Sequence, residues 1–302
     1  MHTRHLLLYI AVLSAAVLSG CSAPLHCGYV GVSGGGRLYY EERGRGEAVV
    51  LLHGHSLDHR MWREQVGPLS RHYRVVTPDL RGYGLSSDQA ETLPMTHADD
   101  VVALLDSLGI AQAHVVGLSM GAFVAGDLLA MQPGRLLSCV MASGGIRRSS
   151  PGPGEPIDAA EQARRDSAIA AVKAQGVDVM KRAWLEQLMA SGGSHRERMR
   201  QPLQLMIDDW SAWQALHKEV RLYYGRQAWD RLKQLRPTLP VLLLRGECEH
   251  KSGRPAELRY LPRGRAETLP DCGHMMNMER PRLFNKTVLR FLKEAAQQQR
   301  AF

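Results

Sequence analysis

The sequence has few of the features that mark repetitive, fibrous or membrane-spanning proteins. It has neither internal repeats nor low-complexity tracts. Its most apolar stretch, Leu6–Leu18, is too short for a comfortable membrane span. With 302 residues, of which 44% are hydrophobic and 23% charged, the chain suits a globular protein with one large core, or a core plus a smaller appendage.

Motifs for binding metals and nucleotides are also missing. No H-E-x-x-H motif or cysteine-pair spacing indicates a metal, and no G-x-x-x-x-G-K-[ST] indicates a nucleotide, so we expect no cofactor. The formal net charge is +8. The arginine-rich part nevertheless lacks the interleaved aromatic residues that stack on bases; it contains Arg147, Arg148, Arg164, Arg165, Arg196, Arg198 and Arg200. We interpret this part as a solvated cationic face that suits anionic lipid headgroups, with nucleic-acid binding as the weaker alternative.

Only five cysteines are present, and the first follows an export signal. Residues 1–20 have a basic start and an apolar centre, and Leu18-Ser19-Gly20-Cys21 resembles the lipobox of bacterial lipoproteins. The resemblance implies an envelope protein anchored by acylated Cys21, with Ser22 favouring the outer membrane. An ordinary signal peptide with a chance cysteine is the alternative. Since Arg4 is the only charged residue removed with the signal peptide, 37 bases against 30 acids leave a net charge of +7.

From residue 48 onward, short apolar runs alternate with helical patterns. Near-continuous apolar runs suit parallel strands that are buried on both faces; they lead to Gly54, Leu80, Ser119, Gly144, Gly246 and Asp271. Residues 57–71, 95–109 and 120–132 have helical apolar spacing, with Thr96 as a predicted N-cap. Residues 28–44 are predicted to form an antiparallel hairpin. The alternation predicts an α/β sandwich with a mostly parallel sheet.

The alternation is interrupted over residues 147–236. A linker rich in proline and glycine comes first, and about four helical stretches without a strand pattern follow; they contain Trp184, Trp210, Trp213 and Trp229. We interpret this part as an inserted helical lid. The core is then predicted to consist of residues 21–146 and 237–302.

The sharpest chemical motif is Gly117-Leu118-Ser119-Met120-Gly121, which lies between a predicted strand and a predicted helix. A serine at that corner sits in a strained turn, and glycines are needed beside it because side chains would collide with neighbouring backbone. The hydroxyl of Ser119 is thereby exposed near a helix N-terminus, where developing negative charge is favoured.

Two further segments supply partners for such a serine. "LLHGHS" (51–56) follows the first long parallel strand, so the backbone N–H groups of His55 and Met120 could point at one oxygen as an oxyanion hole. "LPDCGHMMNMERP" places His274 in a loop after the last predicted strand. His53 is expected to have a structural role in its turn.

Taken together, these motifs resemble the serine branch of the α/β-hydrolase superfamily over about residues 38–292. That group includes lid-bearing esterases, perhydrolase-like enzymes, enol-lactone hydrolases and C–C bond hydrolases. The resemblance implies the α/β-hydrolase fold, with Ser119 as the nucleophile, His274 as the general base, and the amides of His55 and Met120 as the oxyanion hole. Because Ser119 stands where epoxide hydrolases and haloalkane dehalogenases have aspartate, those activities are disfavoured.

The acid of this triad departs from the usual pattern. The family commonly has G-E-x-D after its seventh strand, and here the corresponding residues are Gly246-Glu247-Cys248-Glu249. Glu249 is therefore the expected acid, one methylene longer than aspartate, and its carboxylate would fix the tautomer of His274. Asp271 is a rival, but it is only three residues from His274 on the same loop.

These residues predict a membrane-anchored serine hydrolase that cleaves a small or medium ester, a lactone or a thioester. A C–C bond hydrolase or a perhydrolase on the same triad is one alternative, and a non-catalytic ligand-binding homologue is another. The cysteines that flank the proposed acid and base, Cys248 and Cys272, are hypothesised to form a disulfide in an oxidising envelope, with two free thiols as the alternative. Cys139 is expected to be a buried thiol, and Cys27 has no obvious partner.

Overall fold

The computed structural model describes residues 25–88, 95–217, 222–249 and 253–300. The predicted signal peptide and Cys21 lie outside these residues, and the export and lipidation hypotheses stay predictions. Within the described ranges, no helix combines the length and the apolarity that crossing a bilayer would require.

Eight strands form one sheet in the order β1-β2-β4-β3-β5-β6-β7-β8. The strands are β1 His26–Gly31, β2 Arg37–Arg43, β3 Ala48–Leu52, β4 Arg74–Pro78, β5 Ala113–Leu118, β6 Leu136–Ala142, β7 Val241–Gly246 and β8 Gly264–Leu269. The predicted hairpin is present, since β1 and β2 pair antiparallel, and β2 also pairs antiparallel with β4. All other neighbouring strands are parallel, which confirms the mostly parallel sheet.

The apolar strands are buried because the sheet has a core on each face. Along β3, Val50 and Leu52 belong to one buried cluster, whereas Val49 and Leu51 belong to the other. Each such side chain contributes about 1.5–3 kcal/mol when it is removed from water. The sequence of a strand with a core on both sides is therefore a continuous apolar run, without alternation of apolar and polar residues.

Helices cover both faces of the sheet. Outside residues 147–236 they are α1 Arg63–Ser70, α2 His97–Ser107, α3 Met120–Met131, α9 Met276–Glu279 and α10 Pro281–Arg300. The predicted N-cap of α2 is confirmed, because the Thr96 hydroxyl accepts a hydrogen bond from the backbone N–H of Asp99. The chain turns from β5 directly into α3, and this corner carries Ser119.

The described parts of residues 147–236 contain five helices and no strand. They are α4 Ala159–Gln175, α5 Val177–Ala190, α6 Glu197–Asp209, α7 Trp213–Leu216 and α8 Arg226–Leu235. The sequence predicts about four helical stretches here, and α7 is the additional helix. It is a single turn, which is too short to produce a recognisable apolar period. α8 packs on α3 through the buried Ala228 and Leu232.

Candidate active site

Ser119 occupies a strained corner at the carboxyl end of β5. Its φ of 56° and ψ of −113° are unusual for a residue with a side chain, and its N–H donates to the Ala142 carbonyl oxygen. Neighbouring backbone comes very close: a Cβ on Gly117 would lie 2.0 Å from the Gly121 oxygen, and one on Gly121 would lie 2.0 Å from the Leu52 oxygen. Both glycines are therefore required, and the corner leaves the Ser119 side chain partly accessible.

His274 lies in the loop after β8 and contacts both Ser119 and Glu249. Its Nε2 is 2.8 Å from Ser119 Oγ, and its Nδ1 is 3.0 Å from Glu249 Oε1. The His274 side chain is 24% exposed and the Glu249 side chain 3% exposed, so the carboxylate is shielded while the imidazole remains reachable. The carboxylate favours a proton on Nδ1, which leaves Nε2 free to take a proton from the serine.

Ser143 was not singled out in the sequence, yet it holds this arrangement in place. Its Oγ lies 3.0 Å from Glu249 Oε2 and 2.9 Å from the His274 carbonyl oxygen. The N–H of Gly246 donates to the same Glu249 oxygen over 3.1 Å. Ser143 directly follows β6 at the carboxyl edge of the sheet, and ligands bind at this edge in open α/β folds. Its position after a predicted strand is therefore the feature of the sequence that could have identified Ser143 as a site residue.

The rival acid, Asp271, has other partners. It accepts hydrogen bonds from the backbone N–H of Ser194 over 2.8 Å and from the Arg280 guanidinium over 2.6 Å. The hydrogen bonds from Ser194 and the charge of Arg280 lower the pKa of Asp271 to about 2. Asp271 therefore joins its loop to the helical insert, and Glu249 is the carboxylate at His274.

The expected oxyanion loop lies against Ser119. A Cβ on Gly54 would be 3.6 Å from the Ser119 Cβ, and Met120 is the first residue of α3. Between described residues, no hydrogen bond uses the backbone N–H of His55 or of Met120 as its donor. Both groups are thus available to a substrate oxygen.

The side chain of His55 is enclosed by rings. Its Nδ1 is 2.8 Å from the Tyr83 hydroxyl, and the rings of Trp210 and Trp184 lie 4.9 and 5.8 Å from it, centroid to centroid. Burial and the neighbouring His53 lower the pKa of His55 to about 4, so its imidazole is neutral at neutral pH. The insert therefore packs directly on the oxyanion loop through two tryptophans.

His53 has the structural role expected of it. Its Nδ1 donates to the Gly54 carbonyl oxygen, and its Nε2 accepts the N–H of Leu80, both over 2.8 Å. Because both ring nitrogens are engaged, His53 joins the loop after β3 to the loop after β4. Burial lowers the pKa of His53, which keeps the ring neutral.

A model of the alpha/beta hydrolase family matches residues 49–287, which include every residue of this site. The chain belongs to the alpha/beta hydrolase family. The eight-stranded sheet flanked by helices is the fold of that family, as the resemblance in the sequence implied.

Three similar proteins place this hydrolase among enzymes. BpoC of Mycobacterium tuberculosis, which bears the provisional name of non-heme bromoperoxidase, is 28% identical over 267 residues, 84% of this chain and 97% of its own. The 3-oxoadipate enol-lactonase 1 of Acinetobacter baylyi is 40% identical over 96 residues, 32% of this chain and 36% of its own. A thermophilic esterase from Thermogutta terrifontis, solved with malate bound, has a TM-score of 0.71 and 25% identity, and the match covers 89% of this chain and 99% of that one.

One cluster of this alpha/beta hydrolase has the residue types of a metal site. Ligand atoms of Asp58, His59 and Asp79 lie within 4.8 Å of one another. These atoms already form hydrogen bonds and ion pairs. Asp79 accepts hydrogen bonds from the backbone N–H and from the Nδ1–H of His59, and Asp58 forms an ion pair with Arg60. Burial opposes the charged imidazole, but the hydrogen bond to Asp79 and the nearby carboxylates raise the pKa of His59. Through these hydrogen bonds and ion pairs, the cluster braces the loop after β3 against the loop after β4.

The hypothesised disulfide between Cys248 and Cys272 is not formed, and both thiols are free. The loops do meet, since the N–H of Cys248 donates to the Cys272 carbonyl oxygen over 2.9 Å. The Cys272 thiol, however, is buried and points to the Leu269 carbonyl oxygen. The hypothesis was therefore wrong because of side-chain direction. Cys139 is a buried thiol, as expected, and burial raises its pKa to about 12.

Proposed function

We propose that this hydrolase cleaves small or medium carboxylic esters, including lactones and thioesters, through an acyl-enzyme. The observation that carries the proposal is the continuous chain from Ser119 Oγ through His274 to Glu249, with hydrogen bonds of 2.8 and 3.0 Å. An esterase and an enol-lactonase among the similar proteins support the same chemistry.

In the first half of the reaction, Ser119 Oγ attacks the acyl carbon while His274 Nε2 takes the hydroxyl proton. The oxygen of the former carbonyl group becomes negative and accepts hydrogen bonds from the N–H groups of His55 and Met120. As the bond to the leaving alcohol breaks, His274 returns the proton to the alcohol oxygen. Glu249 keeps Nδ1–H bound throughout and stabilises the imidazolium.

In the second half, a water molecule takes the place of the alcohol. His274 accepts one proton of the water as its oxygen attacks the acyl carbon, and the same N–H groups stabilise the second oxyanion. The bond to Ser119 Oγ then breaks and the serine oxygen recovers a proton from His274. The products are the carboxylic acid and the unchanged enzyme.

A screen of p-nitrophenyl esters of increasing acyl chain length tests this proposal. We expect turnover of short or medium chains, and a loss of ~10⁴-fold or more in kcat for Ser119→Ala with unchanged thermal stability. Equal turnover by Ser119→Ala, or no hydrolysis of any ester by the wild type, would contradict it.

A perhydrolytic activity on the same triad is a second candidate, because a full-length relative carries the bromoperoxidase name. Hydrogen peroxide would replace water as the second nucleophile, so that the acyl-enzyme yields a peracid and free Ser119. Measuring peracid formation from an ester and hydrogen peroxide, with Ser119→Ala as the control, separates it from simple hydrolysis.

We also propose that the enzyme acts at the cell envelope, held there by lipid on Cys21. The sequence Leu18-Ser19-Gly20-Cys21 and the apolar stretch before it support this proposal. It concerns where the enzyme meets its substrate and leaves the chemistry of the site unchanged.

A further inference from the structure

A wall of rings extends from the oxyanion loop to α3. His55 and Tyr83 lie 5.7 Å apart, Tyr83 and His97 6.4 Å, His97 and Tyr223 5.8 Å, and Tyr223 and Phe123 6.3 Å, all between centroids. Tyr223 belongs to the insert, and the other four belong to the core. The wall therefore joins the oxyanion loop to the insert and returns to the helix that begins at the nucleophile.

Both ends of this wall are close to Ser119. At one end stands His55 of the oxyanion loop. At the other end, the N–H of Phe123 donates to the Ser119 carbonyl oxygen over 3.2 Å, so Phe123 is one helical turn from the nucleophile. Phe123 and Tyr223 both retain accessible surface.

The segment after β6 places the guanidinium group of Arg147 beside Phe123, at the end of the wall of rings. A Cβ on Gly144 would lie 2.8 Å from the Ser119 carbonyl oxygen, so the segment starts against the nucleophile. Three residues later, the guanidinium carbon of Arg147 lies 5.4 Å from the centre of the Phe123 ring and 4.9 Å from that of Tyr223. Two aromatic faces thus hold the guanidinium in a fixed orientation.

The charge of Arg147 has no close counter-ion among the described residues. Its Nε donates to the Ser150 hydroxyl over 2.9 Å, and within residues 25–88, 95–217, 222–249 and 253–300 no carboxylate forms an ion pair with it. The carboxyl of Asp127 is in the vicinity, where its Oδ2 accepts the N–H of Tyr224 over 2.8 Å. Burial raises the pKa of Asp127 to about 7, against the effect of Arg147, so below pH 7 this carboxyl is largely neutral.

We propose that Arg147 binds a carboxylate on the substrate, and that the preferred substrates are esters or lactones with a second, anionic group. The proposal rests on the esterase function proposed above and names its substrate class. A guanidinium whose terminal nitrogens are available can bind a carboxylate through two parallel hydrogen bonds. The apolar faces of the rings beside it favour an apolar chain between the scissile ester and the carboxylate.

Paired substrates test this inference with the purified full-length enzyme. In one series, mono-p-nitrophenyl esters of dicarboxylic acids from succinate to pimelate are compared with neutral p-nitrophenyl esters of equal chain length. In a second series, butyryl esters of hydroxy acids are compared with butyryl esters of simple alcohols, which places the anion on the alcohol side. The quantity of interest is the ratio of kcat/KM, anionic over neutral.

We expect the wild type to favour the anionic partner by about tenfold or more in at least one series, because a charge-assisted hydrogen bond is worth that much. Arg147→Met retains apolar contact with the rings, and we expect it to abolish the preference while the neutral ester reacts within about twofold of wild type. Arg147→Lys should keep part of the preference. Arg148→Met is the matched control, since exposed Arg148 stacks on Trp229 instead.

The inference is wrong if the wild type shows no anionic preference in either series, or if Arg147→Met leaves the ratio unchanged. Failure of the ester chemistry itself is distinguishable, because the wild type would then hydrolyse neither partner. In that case calorimetric titration with adipic acid monoamide decides the matter. Binding that Arg147→Met abolishes would support the carboxylate site, whereas equal affinity of the two proteins, or no binding by either, would exclude it.

Discussion

At the residue scale, the position of Glu249 explains how a longer acid fits at His274. Glu249 ends a short 3-10 helix, Glu247–Glu249, that begins directly after β7. From there its carboxylate reaches back to the N–H of Gly246 and the hydroxyl of Ser143 while its other oxygen meets His274. From this tight turn, the longer side chain places its carboxylate against His274 Nδ1 and against two hydrogen-bond donors that hold it.

The first prediction concerns that carboxylate. Glu249→Gln should lower kcat by as much as ~10⁴-fold with little change in folding, because an amide can hold the wrong tautomer of His274. Glu249→Asp should retain part of the activity. Asp271→Asn serves as the control and should have a small effect, since Asp271 binds Ser194 and Arg280. Steady-state kinetics with a p-nitrophenyl ester measures the activity of all three variants. A severe loss of activity in Asp271→Asn together with normal activity in Glu249→Gln would show that Asp271, and not Glu249, is the acid of the triad.

A second prediction concerns Ser143, which lies between Glu249 and the backbone of His274. Ser143→Ala removes the hydroxyl that contacts the Glu249 carboxylate and the His274 carbonyl oxygen. Because a hydrogen bond to a charged group is worth about 1.5–3 kcal/mol, kcat should fall roughly ten- to a hundredfold while KM changes little. Ser138→Ala is a matched control, because Ser138 lies in β6, the strand that Ser143 directly follows, and its hydroxyl contacts His114 instead. An equal fall in kcat for both variants would mean that Ser143 acts only through the stability of the strand.

At the scale of elements, the core was more predictable than the insert. β3, β5, β6 and β7 are buried on both faces, and burial on both faces demands the continuous apolar runs that are visible in the sequence. The helical insert has no such requirement: α4 has no buried residue, so nothing in its sequence fixes where it packs. The contact between Glu249 and His274 was implied by the resemblance to the family's G-E-x-D pattern, whereas Ser143 and the free thiol of Cys272 depended on side-chain directions that no pattern records.

The third prediction concerns Asp127, which joins α3 to the insert through the N–H of Tyr224. Because burial raises its pKa from 3.8 to about 7, the folded state favours the protonated acid. Its contribution to stability is therefore complete below about pH 4 and is lost as the pH rises to about 7. Asp127→Asn should remove this dependence and be the more stable protein at pH 8, by up to about 4 kcal/mol.

Denaturant unfolding between pH 4 and pH 8 measures this difference, with Asp178→Asn on the exposed side of α5 as the control. The free energies of unfolding of wild type and Asp127→Asn should diverge as the pH rises. A difference between them that is the same at every pH would show that the pKa of Asp127 is not raised.

At the scale of the whole molecule, the predicted export signal concerns the location of the protein in the cell. If Cys21 carries lipid, the wild type should partition with membranes, and Cys21→Ser should remain as unprocessed or mislocalised precursor. Fractionation followed by mass spectrometry of the N-terminus measures both outcomes. Normal processing of Cys21→Ser at another site would exclude the lipoprotein hypothesis and leave an ordinary signal peptide.

The central claim is that Ser119 is a nucleophile activated by His274, and labelling with a fluorophosphonate probe tests it most directly. The probe phosphonylates only serines that an enzyme activates, and peptide mapping locates the adduct. We predict one adduct per chain, on the peptide that contains Ser119, with labelling abolished in Ser119→Ala and strongly slowed in His274→Ala. An unlabelled wild-type protein, or an adduct on another serine, would contradict the account and favour a non-catalytic, ligand-binding member of the family.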